Sequence, residues 1–385
     1  MRSIQREVND FYGKILGENY SIQHITKGAL SQSRAKLHPE AFAELNAEAA
    51  RTFYEQAPYR KWKGHRLLAA DGSTCVLPNH KTTTEEFGIH KMGRHADADR
   101  CMATISMMYD VLNLVTLDAQ IDKYAVSEQK LLRDHLSNVK FLDNDLLLLD
   151  RGYPSLSLLF ILQQKRREYC IRLKGGWWKE AQTMLQKGEK DKIVTFTLPL
   201  KDRYLQKEYL VASPDIKCRL VVIELANGEQ EVLCTSLRNR KKYPYDCFKE
   251  LYHYRWNIEE AYKLFKCRIG MEAFSGKTAR NVRQDFQAKV FMMTMCATLS
   301  FPIEEKVRAE NKVTTNKHTR QVNKTNALAI CKEVWTGLWI RSMILKSLDA
   351  IDNILHKTCE CIRYGRKFTR NHKIKKPPAM EYKQL

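Results

Sequence analysis

The stretch Asp145-Leu-Leu-Leu-Leu-Asp150 decides how the middle of the chain folds. An unbroken apolar run this short is typical of a strand that is covered on both faces of a sheet. Asp150 follows the run directly and is succeeded by Arg151, Gly152 and Tyr153. The pattern therefore predicts a carboxylate at the end of a buried central strand.

Short apolar runs and helix-like spacings on both sides of this strand predict the rest of the sheet. Strands are predicted at 65–70, 100–109, 111–118 and 169–173, with a hairpin around Asp110, and helices at 126–139 and 155–164. The order of three strands, helix, strand, helix, strand fits a ribonuclease-H-like α/β core, in which the first and central strands lie side by side. Asp71 follows the first strand, so we expect it to meet Asp150 at one edge of the sheet.

The chain beyond these elements divides into further regions. The predicted boundaries are a helical region at 1–60 that could bind DNA, the first part of the core at 61–173, an inserted β-subdomain at 174–240, the rest of the core at 241–300, and a basic helical region with a tail at 301–385. In the first region Ser31 is a plausible N-cap of a helix from which Arg34 and Lys36 project. This helix could read DNA or pack as a layer on the core, and the sequence slightly favours packing.

The C-terminal half is predicted to be helical and basic. A helix is expected at 278–299, a basic loop or surface helix that touches the DNA backbone at 300–325, and apolar helices at 326–357 that either cover the core or form a dimer contact. The inserted region has strand-like runs at 193–198, 208–212, 218–224 and 231–236. Most of the eleven cysteines lie inside apolar runs and are expected to be buried and reduced.

A second informative stretch, residues 252–266, reads Tyr-His-Tyr-Arg-Trp-Asn-Ile-Glu-Glu-Ala-Tyr-Lys-Leu-Phe-Lys. On an α-helix, spacings of three, four and seven residues place four of its polar side chains on one stripe: Tyr252, Arg255, Glu259 and Lys266. A carboxylate can hold a divalent metal while cations bind phosphate oxygens beside it. Helical ion pairs on a solvated face are equally compatible with these four residues taken alone.

The pattern Tyr-x2-Arg-x3-Glu-x6-Lys, preceded by Asp71-Gly-Ser and Asp150-Arg-Gly, resembles the signature of DDE transposases of bacterial insertion sequences. The resemblance is to the group that excises its element through DNA hairpins, and it covers residues from about 25 to about 300. It implies a strand-rich insertion in which an aromatic side chain stacks on a flipped base. Trp177 or Trp178 could do this, although packing is favoured for either one alone.

The chemistry of three acids suits phosphodiester cleavage. Two divalent ions ~3.5–4 Å apart can activate a water or sugar hydroxyl and relieve the charge on the leaving oxygen. Carboxylates suit Mg²⁺, so we expect Asp71, Asp150 and Glu259 to be catalytic and to bind two Mg²⁺ ions, with Mn²⁺ able to substitute. Nearby rivals are Asp97, Asp99, Asp143 and Asp145, none of which ends a strand cleanly.

The resemblance also implies the order of the reaction. Water cuts one strand at the element's end, the freed 3′-hydroxyl attacks the other strand to form a hairpin, and the reopened end is joined to target DNA. Tyr252, Arg255 and Lys266 are expected to hold the phosphate beside the cut.

The net charge of +21, from 65 basic and 44 acidic residues, favours a polyanionic partner. Transposon-end duplex DNA and target DNA are the expected partners, bound by a homodimer. A membrane-surface role is the competitor, but no segment approaches the ~20 apolar residues of a membrane span. Residues 1–18 are charged throughout and lack the apolar region of a signal peptide, so a cytoplasmic protein is expected. The resemblance implies a bacterial protein associated with the nucleoid.

Two other functions remain open from the sequence. A nuclease or resolvase of the same fold would hydrolyse DNA without joining a 3′-hydroxyl end to a second duplex. A decayed, non-catalytic repressor would bind DNA with strong salt dependence and give no metal-dependent product. The intact carboxylates and the intact Tyr-Arg-Glu-Lys spacing argue against decay.

Overall fold

The fold is described from a computed structural model of the 385-residue chain. The described residues are 3–18, 23–91, 99–174, 176, 178–225, 228–315 and 318–363. They form two compact units, one of residues 43–265 and one that combines residues 1–42 with those from 266 onward.

The helices and strands follow the chain in this order. The helices are α1 Ile4–Leu16, α2 Lys27–Lys36, α3 Ala41–Gln56, α4 Lys81–Phe87, α5 Glu128–Asn138, α6 Leu156–Gln164, α7 Lys179–Lys187, α8 Tyr204–Glu208, α9 Cys247–His253, α10 Asn257–Cys267, α11 Ala279–Val313, α12 Lys324–Trp339 and α13 Ile344–Lys357. The strands are β1 Arg66–Val76, β2 Ile89–His90, β3 Arg100–Asp110, β4 Thr116–Lys123, β5 Asp145–Leu149, β6 Glu168–Arg172, β7 Asp191–Thr197, β8 Asp215–Glu224, β9 Gln230–Thr235, β10 Arg320–Gln321 and β11 Glu360–Cys361. Short 3₁₀ turns occupy Leu200–Asp202, Tyr254–Trp256 and Arg341–Met343.

A nine-stranded mixed sheet forms the centre of the unit of residues 43–265. Its strand order is β2-β3-β1-β5-β6-β9-β8-β7, with β4 also paired to β3. β1 is antiparallel to β3 and parallel to β5, which is parallel to β6. The prediction that the first and central strands lie side by side is therefore confirmed. The strands of the inserted region pair with β6 and with each other, so they extend this sheet instead of forming a separate one.

The leucine run of β5 is buried along its whole length, as its composition predicts. Helix α6, whose residues Leu158 to Leu162 are all buried, packs in the same apolar core as β5. Each helix beside the strand starts at a serine cap. The Ser127 side chain accepts a hydrogen bond from the Lys130 amide of α5, and the Ser155 side chain accepts one from the Leu158 amide of α6. These caps fix where α5 and α6 begin.

Asp145, one of the rival acids, is a structural residue. Both of its carboxylate oxygens accept hydrogen bonds of 2.6 Å from the Arg66 guanidinium, and both side chains are almost fully buried. The pair joins the first residues of β1 and β5, which are register partners. The centre of the Tyr54 ring lies 4.3 Å from the guanidinium carbon of Arg66, which is a cation–π contact.

Removing one member of this pair should destabilise the fold. Asp145→Ala leaves Arg66 charged and buried, so we expect a loss of about 3–5 kcal/mol in the free energy of unfolding. Urea denaturation measures it, with the exposed Asp143→Ala as control. The double variant Arg66→Met/Asp145→Leu should recover most of the loss. Equal effects of Asp145→Ala and Asp143→Ala would show that the pair contributes nothing.

Two predicted strand boundaries were wrong because of local or tertiary contacts, and one predicted strand was wrong altogether. β1 continues to Val76, because β3 pairs with it far beyond the end of β5. The hairpin turns at 111–115 and not around Asp110, whose buried carboxylate accepts the amides of Leu112 and Asn113 and delays β4. The strand predicted at 208–212 is replaced by the end of α8 and a turn in which Leu210 has φ +54°.

The second unit is mainly helical. Its apolar core joins α11, α12 and α13, and it includes Cys296, Val307, Ile330, Cys331 and Leu355. Helix α11 is longer than predicted and runs through Pro302 to Val313, so the chain at 300–313 is not a loop. The helices predicted at 326–357 are present as α12 and α13.

Helix α2 packs within this second unit, and its predicted cap was wrong. Thr26 caps it, whereas Ser31 lies inside it and donates to the Lys27 carbonyl. Arg34 does not project, because its guanidinium donates to Gln284 at 3.0 Å and to Asp285 at 2.9 Å. The packed-layer interpretation of this helix therefore has direct contacts in its favour. Within the described ranges, no helix is long and apolar enough to cross a membrane.

Candidate active site

Asp71 lies in β1 where this strand separates from β5. The parallel pairing of the two strands ends at Ala69, and Asp71 is then opposite Met107 of β3. One carboxylate oxygen accepts the Gly72 amide at 2.9 Å. The predicted strand end is thus the end of the parallel pairing and not the end of β1 itself.

Asp150 is the first residue after β5, as predicted, and two side chains hold its carboxylate. The Tyr252 hydroxyl donates to its Oδ1 at 3.3 Å, and the Arg172 guanidinium lies 2.8 Å from the same oxygen. Burial alone would raise the pKa of Asp150, but the Arg151 amide and the guanidiniums of Arg255 and Arg172 lower it below the ordinary value. Asp150 is therefore ionised at neutral pH.

Glu259 lies in the first turn of α10 and accepts a hydrogen bond of 2.8 Å from Arg255. Residues 252–266 are not one regular α-helix, because a 3₁₀ turn, Tyr254–Trp256, separates α9 from α10. The backbone stays helical through this turn, so the ion pair between positions 255 and 259 is retained. The side chain of Arg255 is only 5% exposed, which excludes the solvated-face interpretation for this residue.

Arg255 links the three acids electrostatically. It pairs with Glu259, and its charge lowers the pKa of both Asp71 and Asp150. The pKa of Asp71 is nevertheless raised to about 6, because the effect of burial exceeds the opposite effects of the Gly72 amide and Arg255, which lower it. Arg255 therefore forms an ion pair with Glu259, and its charge favours the ionised form of both aspartates.

Comparison with known protein families gives one match over most of this region. Residues 62–296, more than half of the chain, match the family model described as the transposase DDE domain. The chain belongs to this family. The matched segment contains all three acids and the residues that contact them.

Two individual proteins are similar to this DDE-domain chain. One is the transposase InsG for insertion sequence element IS4 of Escherichia coli (strain K12), which is 26% identical over 246 residues. That alignment covers 63% of this chain and 53% of the relative, so the chain spans about half the length of the curated relative it matches. The other is the cryo-EM structure of the piggyBac transposase synaptic complex with hairpin DNA. It has 10% identity and a TM-score of 0.40, over 75% of this chain and 57% of that chain.

A fourth carboxylate of the DDE domain, Glu128, was missed from the sequence. It lies at the start of α5, between the glycines that follow the two aspartates. A Cβ at Gly72 would lie 2.8 Å from its Oε1, and a Cβ at Gly152 would lie 2.9 Å from its Oε2. Burial and the charge of Asp150 raise the pKa of Glu128. The signal in the sequence was the glycine one or two residues after each aspartate.

The donor set of the DDE domain fits a hard divalent ion in its chemistry, because Asp71, Asp150 and Glu259 all offer carboxylate oxygens. The carboxylate groups of these three acids do not converge on one metal position. Over the described ranges no three His, Cys, Asp or Glu side chains form a group that could hold a metal. Glu259 is instead engaged by Arg255, and Asp150 by Arg172. The assignment of these three acids as metal ligands remains a prediction.

The predicted DNA contacts have different surroundings in the DDE domain. Tyr252 is buried against Asp150, and Lys266 lies in the last turn of α10. Trp178 packs edge-on to Phe196, with ring centroids 5.2 Å apart, which supports packing over base stacking. Trp177 lies outside the described residues. DNA binding by these residues and by Arg255 stays a prediction.

The raised pKa of Asp71 predicts a pH-dependent effect on stability. In metal-free buffer, Asp71→Asn should stabilise the protein at pH 8 by up to about 3 kcal/mol and have little effect at pH 4. The folded-state pKa of about 6 lies above the ordinary value, so the wild type loses stability as pH rises through 6, while asparagine does not titrate. Denaturant unfolding at both pH values measures this difference. An equal gain at pH 4 would indicate a packing effect instead.

Proposed function

We propose that the chain is a DNA transposase that moves an insertion sequence by cut-and-paste, through metal-dependent strand cleavage, hairpin formation and strand transfer. The observation that carries the proposal is the match of residues 62–296 to the DDE domain, a segment in which Arg255 pairs with Glu259 and its charge favours ionised Asp71 and Asp150. Similarity to the IS4 transposase supports the same activity. Hairpin formation rests on the resemblance of the Tyr-Arg-Glu-Lys pattern to transposases that excise through hairpins, and it is the finer part of the proposal.

We also propose that the catalytic core is ribonuclease-H-like. The strands β4-β3-β1-β5-β6 are adjacent in that order, with the first three antiparallel and the last three parallel. This arrangement brings Asp71 and Asp150 to neighbouring strands at the point where their pairing ends. The order and directions support the assignment.

Asp71, Asp150 and Glu259 are the residues that would hold Mg²⁺ in this proposal. Bound divalent ions would lower the pKa of the attacking hydroxyl and stabilise the leaving oxygen. The chain's own contribution is to favour the ionised form of both aspartates and to orient the Asp150 carboxylate. Arg255 keeps the pKa of both aspartates lower than burial alone would, and Tyr252 and Arg172 fix the direction of the Asp150 carboxylate.

The proposed steps need no energy source. Hydrolysis at the element's end breaks one P–O bond, forms another to water, and frees a 3′-hydroxyl. Attack of that hydroxyl on the opposite strand makes one P–O bond for each bond broken and leaves a hairpin. Water reopens the hairpin, and the same 3′-hydroxyl then exchanges with a phosphodiester of the target.

The charge of the chain supports duplex DNA as the partner, at the element's ends and in the target. We further propose a homodimer in the DNA complex. Trp339 and Leu345, on either side of the break between α12 and α13, are 67% and 77% exposed and could provide an apolar contact between copies.

A strand-joining assay tests the function. The probe is a labelled duplex with the sequence that flanks the gene, incubated with the full chain, Mg²⁺ and a supercoiled plasmid. We expect a nick, then a hairpin on a denaturing gel, then label joined to the plasmid. Cleavage without joining would favour the nuclease or resolvase alternative, and salt-sensitive binding without any product would favour the repressor.

A further inference from the structure

The backbone carbonyl of Asp71 is held by two hydroxyl groups from different elements. The Tyr262 hydroxyl donates to it at 2.7 Å, and the Ser106 hydroxyl donates to it at 3.2 Å. Tyr262 is 6% exposed and Ser106 is 1% exposed, so these hydrogen bonds are shielded from water. A buried hydrogen bond of this kind restrains its partners more than a solvated one does.

Tyr262 lies on α10, three residues after Glu259, and both belong to the unit that holds Asp71. Its hydrogen bond therefore ties the helix that carries the third acid to the strand that carries the first. We propose that Tyr262 is a positioning residue, whose hydroxyl sets Asp71 in register with Glu259 for the reaction. This inference rests on the proposed function. Tyr262 is not one of the four residues of the Tyr-x2-Arg-x3-Glu-x6-Lys pattern.

The Ser106 hydroxyl is in turn contacted by His135, which also contacts Asp118. His135 Nε2 lies 2.9 Å from the Ser106 hydroxyl, and His135 Nδ1 lies 2.7 Å from the Asp118 carboxylate. This order of Ser, His and Asp matches a nucleophilic triad. The Ser106 hydroxyl is buried and its proton goes to the Asp71 carbonyl, so it acts as a support and not as a nucleophile.

Two donors on one acceptor predict a non-additive response. Removing either hydroxyl leaves the carbonyl with the other donor, whereas removing both leaves a buried carbonyl without side-chain support. A displacement of reacting groups by about 1 Å can reduce a rate about 10²-fold. We therefore expect each single variant to be slowed modestly and the double variant to be slowed by more than the product of the two.

The experiment compares Tyr262→Phe, Ser106→Ala and the double variant with a matched control. Tyr245→Phe removes a similar hydrogen bond, from a tyrosine hydroxyl to the Val222 carbonyl at 2.6 Å. That carbonyl is on β8, four strands from β1 in the sheet, so the control should keep wild-type activity. The measurements are kcat and KM for cleavage of the flanking-sequence duplex with Mg²⁺, and Mn²⁺ affinity of the DNA-free protein by titration.

We expect Tyr262→Phe to lower kcat about 10-fold with KM for DNA unchanged, and to weaken Mn²⁺ binding by a similar factor. The double variant should lose about 10³-fold in kcat. Wild-type kcat and Mn²⁺ affinity in Tyr262→Phe, or an equal loss in Tyr245→Phe, would overturn the inference. If the wild type gives no product, the proposed function fails, and Mn²⁺ affinity alone still decides whether Tyr262 positions the acids.

Discussion

Asp150→Asn should abolish Mg²⁺-dependent cleavage of the flanking-sequence duplex, by at least about 10³-fold in kcat. Asparagine keeps the shape of the side chain and an oxygen that can still accept the Tyr252 hydroxyl. It removes the negative charge that Arg172 and Arg255 stabilise. Because Asp150 is the acid with the lowered pKa, it is ionised at neutral pH and its charge is the feature that the substitution tests.

The control for this variant is Asp143→Asn, an exposed acid just before β5. It changes the net charge by the same amount and should leave cleavage unchanged. Asp145→Asn is not a suitable control, because it disturbs the buried pair with Arg66. DNA binding should persist in Asp150→Asn, since one charge in a chain of net +21 contributes little to the salt dependence of binding. Full cleavage by Asp150→Asn would remove this residue from the site.

The two aspartates differ in how well the sequence located them. Asp150 follows a run of leucines whose strand ends at Leu149, and this end is visible locally in the change from apolar to polar residues. The end of β1 depends on β3, which pairs with it through Val76, and no local pattern contains that partner. The sequence therefore placed Asp71 at a strand end, whereas the structure places it where the pairing of β1 with β5 ends and the pairing with β3 continues.

Other residues of the site could not be located by local patterns. Arg172 reaches Asp150 from the next strand, β6, and Tyr262 reaches Asp71 from a helix far away in the chain. Their residue types are common in any strand or helix. Glu128 could have been suspected from the glycines at 72 and 152, which leave room for its carboxylate. The stripe predicted on one α-helix was approximate, because the 3₁₀ turn changes the rotation between positions 252 and 259.

Arg255→Gln should reduce Mg²⁺-dependent cleavage about 10²-fold and move the acidic limb of the pH–rate profile to higher pH. The direction follows from charge. The guanidinium lowers the pKa of Asp71, which is already about 6, so its removal raises that pKa further and protonates more Asp71 at pH 7. Raising the pH should then restore part of the lost rate, which loss of a phosphate contact alone would not produce.

Two further variants separate control of the aspartate pKa from phosphate binding by Arg255. Arg255→Lys keeps the charge, so its pH profile should stay near that of the wild type even if the rate falls. Arg51→Gln removes a guanidinium that pairs with Glu55 at the same helical spacing, but on an exposed face of α3. It should alter neither the rate nor the profile. A lowered rate with an unshifted profile in Arg255→Gln would assign Arg255 to phosphate binding instead of to control of the acids.

The stability of Arg255→Gln with and without divalent ions should also show whether the acids bind a metal. Without Arg255, the buried acids lose their shared counter-charge, and we expect the free energy of unfolding in EDTA to fall by about 3 kcal/mol. Divalent ions bound by the acids would supply a replacement charge, so the loss should be clearly smaller in Mg²⁺ or Mn²⁺. Denaturant unfolding with and without Mg²⁺ measures both values. If Mg²⁺ stabilises Arg255→Gln no more than it stabilises Arg255→Gln/Asp150→Asn, Asp150 is not a ligand of the ion.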